Sequence, residues 1–165
     1  MSPLNDFGTD RNNALTQPDD TYHYHGNPMA MFQTNCESTG TVSPVIGFAA
    51  DGFPIYGSCF GDEGTVRKAR SLYVLKNGGG PRQNIDGYST PKARQGSVAS
   101  SNYDGQFRGD YEYLEGAGAL DKCNGAVVDG QYGHYITDEF PWGLACFSCT
   151  PDGSFYRLPP RPQPR

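Results

Sequence analysis

The chain has 165 residues and a formal net charge of −5, with 13 Lys and Arg against 18 Asp and Glu. It has no apolar run of about 18 residues, which excludes a membrane-spanning helix, and no basic patch, which excludes a duplex nucleic acid as partner. Its 22 Gly and 13 Pro exceed a fifth of the residues, and 11 Tyr and 9 Phe stand among them. That composition favours short strands and tight turns over helices and excludes disorder throughout, while the length suits one domain with its own core.

In chain order, residues 1–20 are polar and turn-rich and predict an extended arm. The start, Met1-Ser2-Pro3-Leu4-Asn5-Asp6, is not a signal peptide. Five cysteines nonetheless suit an oxidising compartment. The two observations agree if this is a mature or truncated form of an exported protein, placed in the periplasm, on the cell surface or outside the cell. Residues 21–25 read as a strand, Gly26-Asn27-Pro28 as a turn, and Met29-Ala30-Met31-Phe32 as a short apolar helical turn. Residues 44–50 and 53–57 read as two strands joined at Asp51-Gly52, because an Asp-Gly pair between apolar runs marks a hairpin. Gly61-Asp62-Glu63-Gly64 is a further turn, and residues 70–76 alternate as a half-exposed strand. Residues 77–106 form a long glycine-rich loop that either wraps the surface or covers a site. Strands follow over 107–115, 126–128, 131–137 and 143–149, with a hairpin turn at Asp129-Gly130. Residues 159–165 are an extended Pro-rich tail.

Two of the three histidines lie in Tyr22-His23-Tyr24-His25-Gly26. On a strand their side chains leave one face roughly 6.6 Å apart, where two imidazoles can converge on one cation. Tyr22 and Tyr24 leave the other face and are expected to be core. The third histidine, His134, lies in Tyr132-Gly133-His134-Tyr135, and Tyr132 precedes Cys146 by the same 14 positions that separate Tyr22 from Cys36. That spacing hints at an internal duplication. His23, His25 and His134 together supply the ligand type and number of an open zinc or copper site; the alternative is that they hydrogen-bond within a core. Nearby acids are Asp20, Asp51, Asp138 and Glu139. Asp-Gly occurs five times, so Asp51 reads first as a turn residue. In a catalytic version of the site Asp138 or Glu139 is the candidate base.

Residues 102–112 are rich in oxygen donors and make calcium a weaker candidate, without EF-hand spacing. Cys36–Cys59 closes a loop worth roughly 3 kcal/mol in the chain-entropy picture. Cys123–Cys146 is the second expected disulfide, which leaves Cys149 of the Cys146-Phe147-Ser148-Cys149 run as a free or intermolecular thiol. No phosphate loop or Gly-x-Ser-x-Gly elbow is present.

Tyr22-His23-Tyr24-His25-Gly26 resembles the signature of the bacterial YHYH-domain proteins. The resemblance extends through Gln17-Pro18, residues 45–57, Tyr73-Val74-Leu75-Lys76, residues 120–125, residues 132–137, Phe140-Pro141 and Cys146-Phe147. It implies an exported, disulfide-containing, β-rich protein with a suspected metal role for the histidines. Relatives carry a longer N-terminal β-rich region, so either a piece of the usual sheet is missing here or another subunit supplies it. They also carry a histidine where this chain has residues 12–18, and their second tyrosine-histidine motif is reduced here to Tyr132-Gly133-His134-Tyr135.

The reading is a mainly β, disulfide-stabilised single domain over residues 21–158, a β-sandwich or irregular double sheet with long loops. Its first function is transition-metal binding by the His-x-His strand. The alternatives are a self-assembling structural subunit of an extracellular filament or coat, and a metal-dependent hydrolase or oxidase.

Overall fold

The structure, a computed structural model, describes residues 9–84, 92–94, 100–116 and 119–156. The Pro-rich tail and parts of the long loop lie outside the described residues. Among the described residues, ten short strands, one α-helix, three short 3-10 turns and two disulfides make up the fold, which is mainly β as expected. The strands are distributed over four small sheets.

The central sheet has the order β3-β4-β10-β9, formed by Val45–Phe48, Pro54–Tyr56, Gln131–Tyr135 and Gly125–Val128. Both expected Asp-Gly hairpins are in it. At the second, Asp129 and Gly130 have φ of 50° and 79°, the two left-handed residues that a tight hairpin turn requires. The inner pair β4 and β10 is parallel, His134 facing Ile55 and Tyr135 facing Tyr56. No local sequence signal carries that long-range pairing. Phe60, Ala69, Leu120 and Tyr135 form the buried cluster, with Tyr56, Ala126 and Val128 packed against it. The Tyr56 and Tyr135 rings stack at 5.2 Å.

Three two-stranded sheets flank this one. Ala14–Thr16 (β1) pairs with Tyr22–Tyr24 (β2), so the expected arm contains a strand. Cys59–Asp62 (β5) pairs with Thr65–Lys68 (β6). This hairpin is missing from the sequence reading, which gave the turn over residues 61–64 but not the strands beside it. The left-handed pair is Glu63-Gly64, with φ of 47° and 81°, so Gly61 and Asp62 stay in the ladder. Tyr73–Leu75 (β7) pairs with Tyr111–Tyr113 (β8). The helix, Cys36–Thr39 (α1), was not expected. Asn35 caps it by accepting from the Ser38 amide, and Gly40 ends it at φ 58°.

Cys36–Cys59 and Cys123–Cys146 are both formed, and Cys149 is a free, exposed thiol. The expected strand over residues 143–149 is not formed. Its backbone is held by side chains instead: Arg108 donates to the Ala145 carbonyl at 2.7 Å, and Asp51 accepts from the Ser148 amide at 2.8 Å. Met29 and Met31 are about half exposed, at 49% and 46%. Phe32 lies instead against Gly57, where a Cβ would come within 2.5 Å of its ring.

The oxygen-rich segment at 102–112 is organised by a guanidinium. Arg82, its side chain 5% exposed, forks onto Asp110, 1% exposed, and also reaches Asp104, 30% exposed. Its cationic face lies 5.4 Å from the Tyr103 and Phe107 ring centroids. The Gly105 amide also donates to the Asp110 carboxylate, at 3.1 Å. The carboxylates expected as calcium donors are thus engaged by Arg82. A buried pair opened from one side leaves an unpaired charge. Asp110→Ala is expected to cost about 3–5 kcal/mol in urea unfolding, and Asp104→Ala, at the exposed end, less than about 1 kcal/mol.

Candidate functional site

The β1–β2 hairpin turns through Gln17-Pro18-Asp19-Asp20. The Gln17 amide donates to the Thr21 carbonyl at 2.9 Å, Asp19 accepts from the Thr21 amide at 3.1 Å, and Asp20 takes a φ of 65°. The ladder runs one residue past β2, because the His25 amide donates to the Asn13 carbonyl at 2.7 Å. Ala14, fully buried, anchors the hairpin.

Alternation along this strand brings like side chains together. The His23 and His25 rings have centroids 4.6 Å apart, and the Tyr22 and Tyr24 rings meet edge-on at 5.6 Å. The tyrosine face is not core: Tyr22 is 49% and Tyr24 41% exposed. A two-stranded sheet has no second layer to bury it. Tyr22 donates instead to Asp10 at 2.8 Å.

The two Nε2 atoms of the histidine pair lie 2.8 Å apart. The Thr21 carbonyl faces His23 Nδ1 at 3.4 Å. A carbonyl only accepts, so it selects the tautomer with the proton on Nδ1. His23 Nε2 is then a lone pair that accepts from His25 Nε2–H and, at 3.4 Å, from the Gln17 side chain. One proton occupies the space between the two rings.

Beside the pair lies a cleft of about 380 Å³ with His25 and Met31 in its wall, closed by Ile46, Ile55, Ile136 and Trp142. Ile46 and Ile55 come from β3 and β4, and Ile136 follows β10, so the hairpin stands over one flank of the central sheet.

His134 is not part of this arrangement. It is fully buried, with Nδ1 3.1 Å from the Cys123 carbonyl and Nε2 3.2 Å from Asp51 Oδ2. Both ring nitrogens face acceptors within the protein. The expected three-histidine set is therefore divided into an exposed pair and a buried residue of the central sheet. Among the described residues no group of three His, Cys, Asp or Glu side chains is placed to hold a metal.

Asp51 has two roles: it accepts from the Phe53 amide at 3.5 Å as a turn residue, and it binds His134 and the Ser148 amide. Burial alone would push its pKa up. The Ser148 amide and the hydrogen bond and charge of His134 outweigh this and hold it below the ordinary 3.8. Ser148 does not form a nucleophile with His134, because its hydroxyl donates to the Tyr132 phenol, which donates to Asp121 at 2.9 Å. Burial, with Asp121 beside it, pushes that phenol up to about 12 although the Ser148 hydroxyl pulls the other way.

The candidate bases sit elsewhere. Asp138 is paired with Lys68 at 2.6 Å and accepts from Asn27 at 2.6 Å. Glu139 is exposed and offers its carbonyl to the Thr137 hydroxyl. Gln17 and Trp142 are the site residues that sequence reasoning missed. The single Trp after a Pro is the only signal that pointed to the second.

The model of a family described as YHYH protein matches residues 1–149 of the 165. The match takes in residues 1–16, ahead of the first block that carries the resemblance. No curated protein and no solved structure matches the chain.

Because the folded pKa of Asp51 lies below 3.8, the carboxylate contributes stability that is present above the unfolded value and lost as pH falls through the folded one. The stability difference between wild type and Asp51→Asn, from denaturant unfolding at stepped pH, is expected to be full near about pH 5 and to shrink toward about pH 2.

Proposed function

The chain belongs to the YHYH protein family, and from that premise we propose that it is an exported, disulfide-stabilised β module that binds a transition metal through His23 and His25. The observation that carries this reading is the 2.8 Å separation of the two Nε2 atoms. Imidazole binds these metals at about 2.0–2.1 Å, so nitrogens at this spacing subtend roughly a right angle at a shared cation. That is the angle between neighbouring ligands of a tetragonal copper(II) site. Tetrahedral zinc asks for about 3.3 Å, a shift of about half an ångström between the two rings.

The tautomer supports the same reading. The Thr21 carbonyl keeps the proton of His23 on Nδ1 and so presents Nε2, the arrangement that an outer hydrogen bond imposes on metal-binding histidines. For both Nε2 lone pairs to hold a cation, His25 would carry its proton on Nδ1, as His23 already does. Coordination by two imidazoles leaves positions for water or for a ligand's own donor.

Export is supported by the two disulfides, which persist in oxidising compartments. Among the described residues no helix is long and apolar enough to cross a membrane.

Dialysis against copper(II) or zinc(II), followed by elemental analysis, is expected to give one equivalent per chain. His23→Ala and His25→Ala are each expected to weaken binding at least about tenfold, and the double variant to abolish it. His134→Gln is expected to keep the metal and lose thermal stability, because it breaks the buried contact with Asp51. Full metal occupancy in the double variant would overturn the reading.

A further inference from the structure

The cleft beside the histidine pair gives the metal site a ligand class, an inference that rests on the reading above. We propose that it binds a single-ring aromatic oxyanion, an aryl carboxylate or phenolate. The ring occupies the cleft and the oxygen takes an open position on a metal held by His23 and His25.

Three observations converge on this class. The cleft, about 380 Å³, is at the small end of the range for ligand sites, about 300–1,000 Å³, and suits one ring. Its described lining carries no carboxylate, ammonium or guanidinium, while Trp142, Tyr24 and Met31 supply two aromatic faces and a thioether. Those groups favour a planar π system over an aliphatic chain. The polar end is at His25. A divalent cation on two neutral imidazoles keeps its full charge there, and that charge selects an anionic oxygen.

Backbone strain separately marks one wall of the cleft. Trp142 has a φ of 59°, a region that bulky side chains rarely adopt. It is held there by its own amide donating to Glu139 O at 2.8 Å, by the Thr137 amide donating to its carbonyl at 3.1 Å, and by Phe140 edge-on at 5.4 Å. Strain held by its surroundings in this way concentrates at ligand-binding walls.

One glycine, Gly47, allows the cleft to be narrowed without touching the histidines. A Cβ at Gly47 would meet Ile55 Cδ1 at 4.0 Å, an ordinary contact, and Gly47 does not have a positive φ. Gly47 lies in β3, where a β-branched residue is well accommodated.

Trp142 is the single tryptophan, so its emission reports on the cleft directly. The experiment titrates zinc-loaded full chain with benzoate and with acetate, which carry the same donor with and without the ring, and measures zinc content in parallel. Benzoate is expected to shift Trp142 emission with a midpoint at least about tenfold below that of acetate. Gly47→Val is expected to remove that advantage with zinc content unchanged, and His23→Ala/His25→Ala to weaken benzoate at least about tenfold. Zinc bound with equal midpoints for the two probes, or a benzoate advantage that survives Gly47→Val, overturns the ligand class and leaves the metal site standing. No zinc at the pair overturns both.

Discussion

Asp51, at the tip of the β3–β4 turn, is where three distant parts of the chain are tied together. Its carboxylate takes His134 from β10 and the Ser148 amide from the segment after Cys146. The Cys123 carbonyl, next to the second disulfide, takes the other nitrogen of the same imidazole. Through these contacts a turn, a central strand and an irregular C-terminal stretch are tied to one another. The parallel β4–β10 pairing depends on them, since it has only two registered residue pairs of its own. Ile55 and Ile136, two walls of the cleft, stand on those strands or directly after them.

The fold uses such ties because its apolar core is small. Four residues form the buried cluster, and polar anchors and covalent links supplement the scattered buried residues beyond it, such as Leu72, Tyr103 and Ile136. Asn124 donates to the Tyr135 carbonyl at 2.9 Å and to Thr137 at 3.2 Å. Arg82 gathers the 102–110 segment around its guanidinium. Each disulfide closes a loop between residues 23 positions apart. A buried hydrogen bond contributes little net stability but costs much when one partner is removed. Structure built this way is specific in geometry and sensitive to single polar substitutions.

What was legible in the sequence was local. Asp51-Gly52 and Asp129-Gly130 announce hairpins because each needs positive φ at its turn. Alternation in Tyr22-His23-Tyr24-His25 puts the imidazoles together, and the cysteine spacing gave the two pairings. What failed was contingent on long-range packing. Alternation assigns His134 to a face of its strand but not the neighbour across from that face, and the neighbour is a carboxylate 83 positions away. The tyrosine face of β2 has the composition of core, yet only a second layer makes it core, and the hairpin has none. Residues 143–149 have strand composition, but their backbone groups meet Arg108 and Asp51 instead of another strand.

The separation of the histidines changes the physical character of the site. A third imidazole from the central sheet would close the coordination and bury the cation against the core. With His134 committed to Asp51, the pair stays on a two-stranded hairpin, accessible, and a cation held there as proposed would keep open positions. The sheet contributes apolar surface instead: Ile46, Ile55 and Ile136, with Trp142 beside them. An apolar cleft alone discriminates weakly among small hydrophobic molecules, and an exposed two-imidazole cation alone takes any oxygen donor. Side by side, a cation held as proposed and the cleft would together ask for a flat apolar body with a polar end. That conjunction would make a two-ligand site selective without further protein donors.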